Sequence, residues 1–253
     1  MKSYFKGVVL AIGLVTFGCV GFLLSVGALV LSPLFPSLRF YSNSFFLEPF
    51  GAFARTLVGI KLTVLNRERI YAARPAIFIG NHQSGMDLAV IGECCPSRSV
   101  IVGKRELLFI PVFGWFFWIA GNVLIDRANK TSAKAGIDRV RMKLAQRNLN
   151  LAIFPEGTRS KTGEILPFKR GAFYLAASTG YPIIPVVCSN LKGKGIWEQF
   201  QLNGGNVVVS VMPPIETQNL NLSDLAGFSE RVRQSMIEEY ARVCALADQM
   251  DVR

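Results

Sequence analysis

Seven short apolar runs, each long enough for one strand, recur along residues 61–212 and limit the possible folds more than any other feature. They occupy residues 61–65, 76–79, 99–102, 122–125, 151–154, 183–188 and 206–212, with helical patterns between several of them. Alternation of this kind predicts an α/β fold: a mixed, largely parallel central sheet flanked by helices on both faces. Residues 131–148 read as a basic helix, with Lys134, Arg139, Arg141, Lys143 and Arg147 around an apolar stripe of Ile137, Val140 and Leu144. Its charges form either a solvated face or an attraction for anionic lipid. Residues 109–125 are aromatic but interrupted by Pro111, Gly114 and Gly121, so a core or interface-facing helix is expected rather than a span. Residues 223–249 repeat apolar side chains at intervals of three and four, as a helix packed on a sheet does.

The N-terminus has a different texture. Lys6 is followed by 25 uncharged residues, 7–31, and the next charge is Arg39. A helix of about 20 apolar residues crosses the hydrocarbon core, whereas the apolar part of a cleaved leader is only ~7–15 residues long. A retained membrane-associated helical segment of one or two helices is therefore expected over residues 1–58, ahead of the α/β domain over 59–253. Residues 39–60, rich in Phe and Tyr, fit the second helix of a hairpin at the bilayer interface or a helix packed on the domain. The net charge of +11 suits an anionic membrane or a phosphorylated substrate. No basic run interleaved with aromatics points to nucleic acid. Five cysteines, with no CxxC pair, make no disulfide framework, and one histidine makes structural zinc a poor fit.

That one histidine, His82, lies where the apolar run 76–79 gives way to a helical pattern at 88–91. Loops at the carboxyl ends of strands are where α/β sheets build their sites. Asp87 is five residues further on. The two meet only if His82 is on the loop and Asp87 in the first helical turn. A carboxylate so placed accepts the Nδ1–H, fixes the tautomer and leaves Nε2 free as a base. Alternatively, Ser84 and Asp87 merely cap a helix. A second strand runs into Glu156-Gly157-Thr158-Arg159, where a glycine, a hydroxyl and a guanidinium fork suit a phosphate. Glu156 is unusual there, and orients either the arginine or the loop. Lys104, Arg105, Arg127, Lys169 and Arg170 also stand near strand ends. In one parallel sheet they converge beside His82 as a basic pocket around a neutral base. There is no G-x-S-x-G elbow, Walker A loop, dinucleotide fingerprint or H-E-x-x-H motif. Cys94 or Cys95 is a formal nucleophile, but both fall in or at the end of an apolar helical run.

These motifs resemble those of the glycerolipid acyltransferases. Residues 81–87 (NHQSGMD) look like the N-H-x4-D block of that family, and 154–160 (FPEGTRS) like its F-P-E-G-T-R-S block. Residues 121–127 and 181–186 are similar to the two remaining blocks, in the expected order. The similarity runs from about residue 60 to residue 215 and is nearest to the 1-acyl-sn-glycerol-3-phosphate (lysophosphatidic acid) acyltransferases, whose bacterial members the short chain fits. One departure is Asn122, beside Gly121, where the family more often has an apolar residue.

The resemblance implies acyl transfer from acyl-CoA or acyl-acyl carrier protein to the free hydroxyl of lysophosphatidic acid, giving phosphatidic acid. It implies no metal and no cofactor. It makes His82 the general base and Asp87 its orienting partner. Glu156, Gly157, Thr158 and Arg159 then bind the acceptor's phosphate, helped by Arg127, and Lys104 approaches the thioester or its oxyanion. The implied site is the inner membrane of a bacterium, with the domain facing the cytoplasm. Other acceptors (another lysophospholipid, glycerol 3-phosphate or a lyso-aminolipid), a thioesterase and a non-catalytic lipid-binding protein are the competing readings.

Overall fold

The computed structural model describes residues 2–31, 33–35, 38–111, 113–126, 129–191 and 204–252. Among them, seven strands form one sheet: β1 (Ile60–Leu65), β2 (Ile77–Gly80), β3 (Ser99–Lys104), β4 (Val123–Ile125), β5 (Asn150–Ile153), β6 (Ile183–Cys188) and β7 (Gly205–Val211). Each overlaps one of the seven apolar runs. Their spatial order is β1-β7-β6-β2-β5-β3-β4. From β6 to β4 every neighbour is parallel, while β7 pairs antiparallel with β6 and parallel with β1. Five strands therefore end on one edge, and β1 and β7 run the other way. The expected mixed, largely parallel sheet is present.

The sheet is covered on both faces because its central strands are apolar on both. In β2, Ile77 and Ile79 point to one side and Phe78 to the other, and all three are buried. The first side packs against α5 (Lys130–Arg147), α6 (Gly171–Thr179) and α7 (Leu225–Asp251). Val140 and Leu144 of the basic helix's stripe, and Val232, Met236 and Val243 of the last helix, are buried there. The second side packs against α2 (Ser42–Val58), α3 (Asp87–Ile91) and α4 (Phe113–Ile119).

Two buried amides tie α2 to the sheet. Asn122 accepts from Asn43 Nδ2 at 2.8 Å and donates to Asn43 Oδ1 at 2.9 Å. The Asn122 oxygen also accepts from the backbone N–H of Ile101 at 2.8 Å, and Asn43 donates to the carbonyl of Ser99. The departure at Asn122 is thus structural: one amide joins α2, β3 and the start of β4. Removing one partner leaves the other's buried polar atoms unpaired, at about 1–3 kcal/mol each. Asn43→Leu is expected to lower stability by about that amount. Thermal melts of Asn43→Leu, Asn122→Leu and the double variant check this, the double losing less than the sum of the singles.

The helix α1 (Lys2–Val30) contains the one segment among the described residues long and apolar enough to span a bilayer, Ala11–Val30. Its 20 residues reach about 30 Å at 1.5 Å each. It packs on α2 and α4. A Cβ at Gly13 would fall 2.1 Å from the Phe53 ring, so glycine there admits the close approach of α2. The helix α2 covers most of residues 39–60 and packs on the domain, as one of the two expectations had it. It packs beside α1, and its Leu47, Ala54 and Val58 are buried in the domain.

Candidate active site

The chain leaves all five parallel strands at the shared carboxyl edge. The loop after β2 carries His82, and Asp87 is the first residue of α3. His82 Nδ1 lies 2.5 Å from Asp87 Oδ2. The arrangement required by a five-residue spacing is realised, with the histidine on the loop and the carboxylate in the first turn. The same Oδ2 accepts from the backbone N–H groups of Gln83 and Ser84 at 2.8 and 3.0 Å. No side chain caps the start of α3, so the capping alternative is not realised: Asp87 instead ties down the loop backbone and the imidazole with one oxygen. Its side chain is buried, whereas that of His82 is about one fifth exposed (22%). With Nδ1 committed to Asp87, Nε2 is the nitrogen left for chemistry. The ring stacks on Phe154, centroids 4.3 Å apart and planes 14° apart.

The loop is fastened on both flanks. Toward β6, Asn81 exchanges two hydrogen bonds with the backbone of Cys188, at 2.8 and 2.9 Å. Toward β5, the His82 N–H donates to Glu156 Oε1 at 2.7 Å, and the His82 carbonyl accepts from Ser160 N at 2.8 Å. The second oxygen of Glu156 accepts from Leu166 N at 3.0 Å. This settles what Glu156 orients. Both carboxylate oxygens face backbone N–H groups, the residue is 2% exposed, and no ion pair to Arg159 occurs among the described residues. It joins the loop after β5 to the loop carrying His82. Burial pushes its carboxyl above the usual range, while the two backbone donors and His82 pull the other way.

Gly157 has φ +71°, a conformation that other residues adopt at a cost of about 1–2 kcal/mol. A Cβ there would also fall 2.8–2.9 Å from the end of the Lys169 side chain. The Lys169 ammonium thus lies over the loop backbone at the glycine, beside exposed Thr158 and Arg159. Lys169 is the cation that motif reading undervalued; its signal was only its place before Gly171 at the start of α6. Lys104 ends β3, two strands from β2, and is exposed. Arg127 lies outside the described residues.

Under this edge, between α3 and the sheet, lies an apolar cavity that reaches Asp87. Leu47, Phe78, Leu88, Ile91, Ile101 and Phe154 contribute to its walls. The sequence marks none of these as a cavity wall, because wall residues of an apolar cavity and ordinary core residues are the same types. The unpartnered, buried Oδ1 of Asp87 belongs to a residue lining this cavity.

Comparison with known proteins decides the family. A family model described as Acyltransferase matches residues 61–189, half of the chain. The chain belongs to the acyltransferase family. A 1-acyl-sn-glycerol-3-phosphate acyltransferase of Haemophilus influenzae is 39% identical over 167 residues, 65% of this acyltransferase and 69% of that protein. The human 1-acyl-sn-glycerol-3-phosphate acyltransferase alpha is 35% identical over 187 residues, 74% of this chain and 66% of that one. The crystal structure of the 1-acyl-sn-glycerophosphate acyltransferase PlsC from Thermotoga maritima shares the fold at TM-score 0.67 and 24% identity, covering 94% and 97% of the two chains.

Cys94 and Cys95 also line the apolar cavity that reaches Asp87. Burial pushes the Cys94 thiol up to about 12 and Cys95 up to about 11, so neither offers a thiolate near neutral pH.

Proposed function

We propose that this acyltransferase moves a fatty acyl group from acyl-CoA or acyl-acyl carrier protein to the free hydroxyl of lysophosphatidic acid, forming phosphatidic acid. The observation that carries the proposal is His82 bonded through Nδ1 to buried Asp87, at the sheet edge where the Arg159 loop also ends. His82 Nε2 takes the hydroxyl proton as the oxygen attacks the thioester carbonyl. Asp87 stabilises the imidazolium that forms. The tetrahedral intermediate then collapses, the C–S bond breaks, and the leaving thiolate takes the proton back from His82. Atoms and charge balance without a metal or a cofactor, and no residue is acylated.

Gly157, Thr158, Arg159 and Lys169 receive the acceptor's phosphate in this scheme, and Glu156 holds their loop against that of His82. Arg127 remains a proposed helper, and Lys104 is assigned to the thioester carbonyl or its oxyanion. An acyl chain entering the apolar cavity beneath Asp87 would lie beside the reacting groups. The helix α1 anchors the chain in a membrane, which brings the acceptor to the site within the lipid layer. Soluble thioester donors are met if the domain faces the cytoplasm from a bacterial inner membrane, and the packing of α2 on α1 supports a hairpin anchor.

Acceptor discrimination tests the reading. Rates with lysophosphatidic acid are expected to exceed those with lysophosphatidylcholine or lysophosphatidylethanolamine. Arg159→Ala is expected to raise KM for lysophosphatidic acid roughly 10–100-fold with a much smaller change in kcat, as loss of a charged hydrogen bond of about 1.5–3 kcal/mol requires. A zwitterionic acceptor used equally well would reassign the acceptor. Hydrolysis of the thioester untouched by Arg159→Ala would make the protein a thioesterase.

A further inference from the structure

Strand β4 is one of the two outer strands of the sheet, and a cleft of about 450 Å³ runs along it. Leu108 and Trp118 line it together with Arg105, Asp126, Arg139 and Lys143. Three strand spacings separate β4 from β2, roughly 14 Å at about 4.8 Å per strand, so the cleft is distinct from the His82 loop. Lys143 donates to the Gly121 carbonyl at 2.6 Å, and Arg105 lies 3.6 Å from Asp126. Arg139 is exposed and makes no ion pair or hydrogen bond among the described residues. The cleft is thus concave, with one uncommitted guanidinium and one aromatic wall.

Its position relates it to the membrane anchor. Trp118 is on α4, and α4 packs against α1, where the Phe22 and Trp115 rings are 6.1 Å apart. Phe109, Ile110, Trp115 and Trp118 are 76%, 45%, 49% and 61% exposed. Exposed aromatics packed beside an apolar helix fit a surface that meets lipid. A merely solvated basic face needs neither concave walls nor an indole. An acidic protein surface would meet a broad set of charges rather than one open arginine in a narrow cleft.

We infer that this cleft holds the headgroup of an anionic bilayer phospholipid, its phosphate on Arg139 and its chains leaving past Trp118 and Leu108 toward α1. Arg105 and Lys143, each with an internal partner, add positive potential, and Asp126 fixes Arg105. Such a site would set the tilt of the catalytic domain on the bilayer and make the protein prefer anionic membranes. It rests on the cleft and the anchor, and stands whichever acceptor the enzyme uses.

The test uses the intact protein in dodecyl maltoside micelles, titrated with brominated phosphatidylglycerol while tryptophan fluorescence is read. Brominated phosphatidylcholine is the zwitterionic reference. Wild type is expected to be quenched by phosphatidylglycerol at about fivefold lower mole fraction, the advantage of one basic residue near an anionic headgroup. Arg139→Ala removes that preference; it is an exposed helix position where alanine is a good helix former, so the fold is kept. Lys134→Ala, the same charge loss on the same helix but outside the cleft, retains the preference, and so does Arg159→Ala. Equal quenching of wild type by both lipids would overturn the proposal. So would equal loss in Lys134→Ala, which means diffuse charge, or loss in Arg159→Ala, which means that the headgroup sits in the catalytic site.

Discussion

Alanine at His82 is expected to lower kcat for acyl transfer by about 10³-fold, within the ~10²–10⁴-fold that a positioned base contributes. The fold should survive it. The bonds that fasten this stretch, to Glu156 Oε1 and from Ser160 N, are made by the His82 backbone and remain in the variant. What goes is the ring stacked on Phe154 and one of the donors to Asp87 Oδ2, which keeps the N–H groups of Gln83 and Ser84. KM for the acceptor should stay within about threefold, since a base that acts in the transition state adds little to ground-state binding. Steady-state kinetics alongside a thermal melt check both halves. A fall of less than tenfold with an unchanged melt would remove His82 from the chemistry.

Asparagine at Asp87 separates orientation from charge. Its amide oxygen in the place of Oδ2 keeps the three donors that converge there. Its NH₂ group then occupies the place of Oδ1, which has no partner. The opposite placement sets an NH₂ group against three N–H groups and is the worse of the two. The imidazole therefore keeps its tautomer and direction, and what is lost is the negative charge that steadies the imidazolium. We expect kcat to fall by roughly 10²–10³-fold, less than for His82→Ala, with acceptor KM nearly unchanged. Asp87→Ala is different in kind: it leaves three N–H groups without their common acceptor and costs stability as well. Kinetics of the two variants beside their melts distinguish these cases, and an Asp87→Asn enzyme as fast as wild type would show that the charge is not used.

The strands were legible because their apolar runs are short, separate and apolar on both faces, which is what a covered parallel sheet demands. The one reversal, β7 against β6, has no local signature, since β7 reads as the same apolar run in either direction. For His82 and Asp87, helix geometry and a five-residue spacing set the condition under which they meet and left capping as the alternative. Glu156 did not yield in the same way. Its neighbours in sequence left two roles open, orienting the arginine or the loop, and its partners, the N–H groups of His82 and Leu166, the first 74 residues away, decide for the loop. A contact of that range becomes visible only when β2 and β5 are adjacent. Asn122 was legible as a departure and not as a joint, because Asn43, its partner, is 79 residues earlier. Lys169 was one of five cations expected to converge beside His82, and only its side chain over Gly157 sets it apart from the others.

The most direct test of the account is one acid-quenched time course with intact protein in mixed micelles. Radiolabelled acyl thioester is supplied first alone and then with lysophosphatidic acid, and label is followed both on the protein and in lipid. The account predicts no label on the protein at any time, and phosphatidic acid forming only once acceptor is present. Label covalently held by the protein before acceptor is added, and chased into lipid afterwards, would contradict direct transfer with His82 as the base.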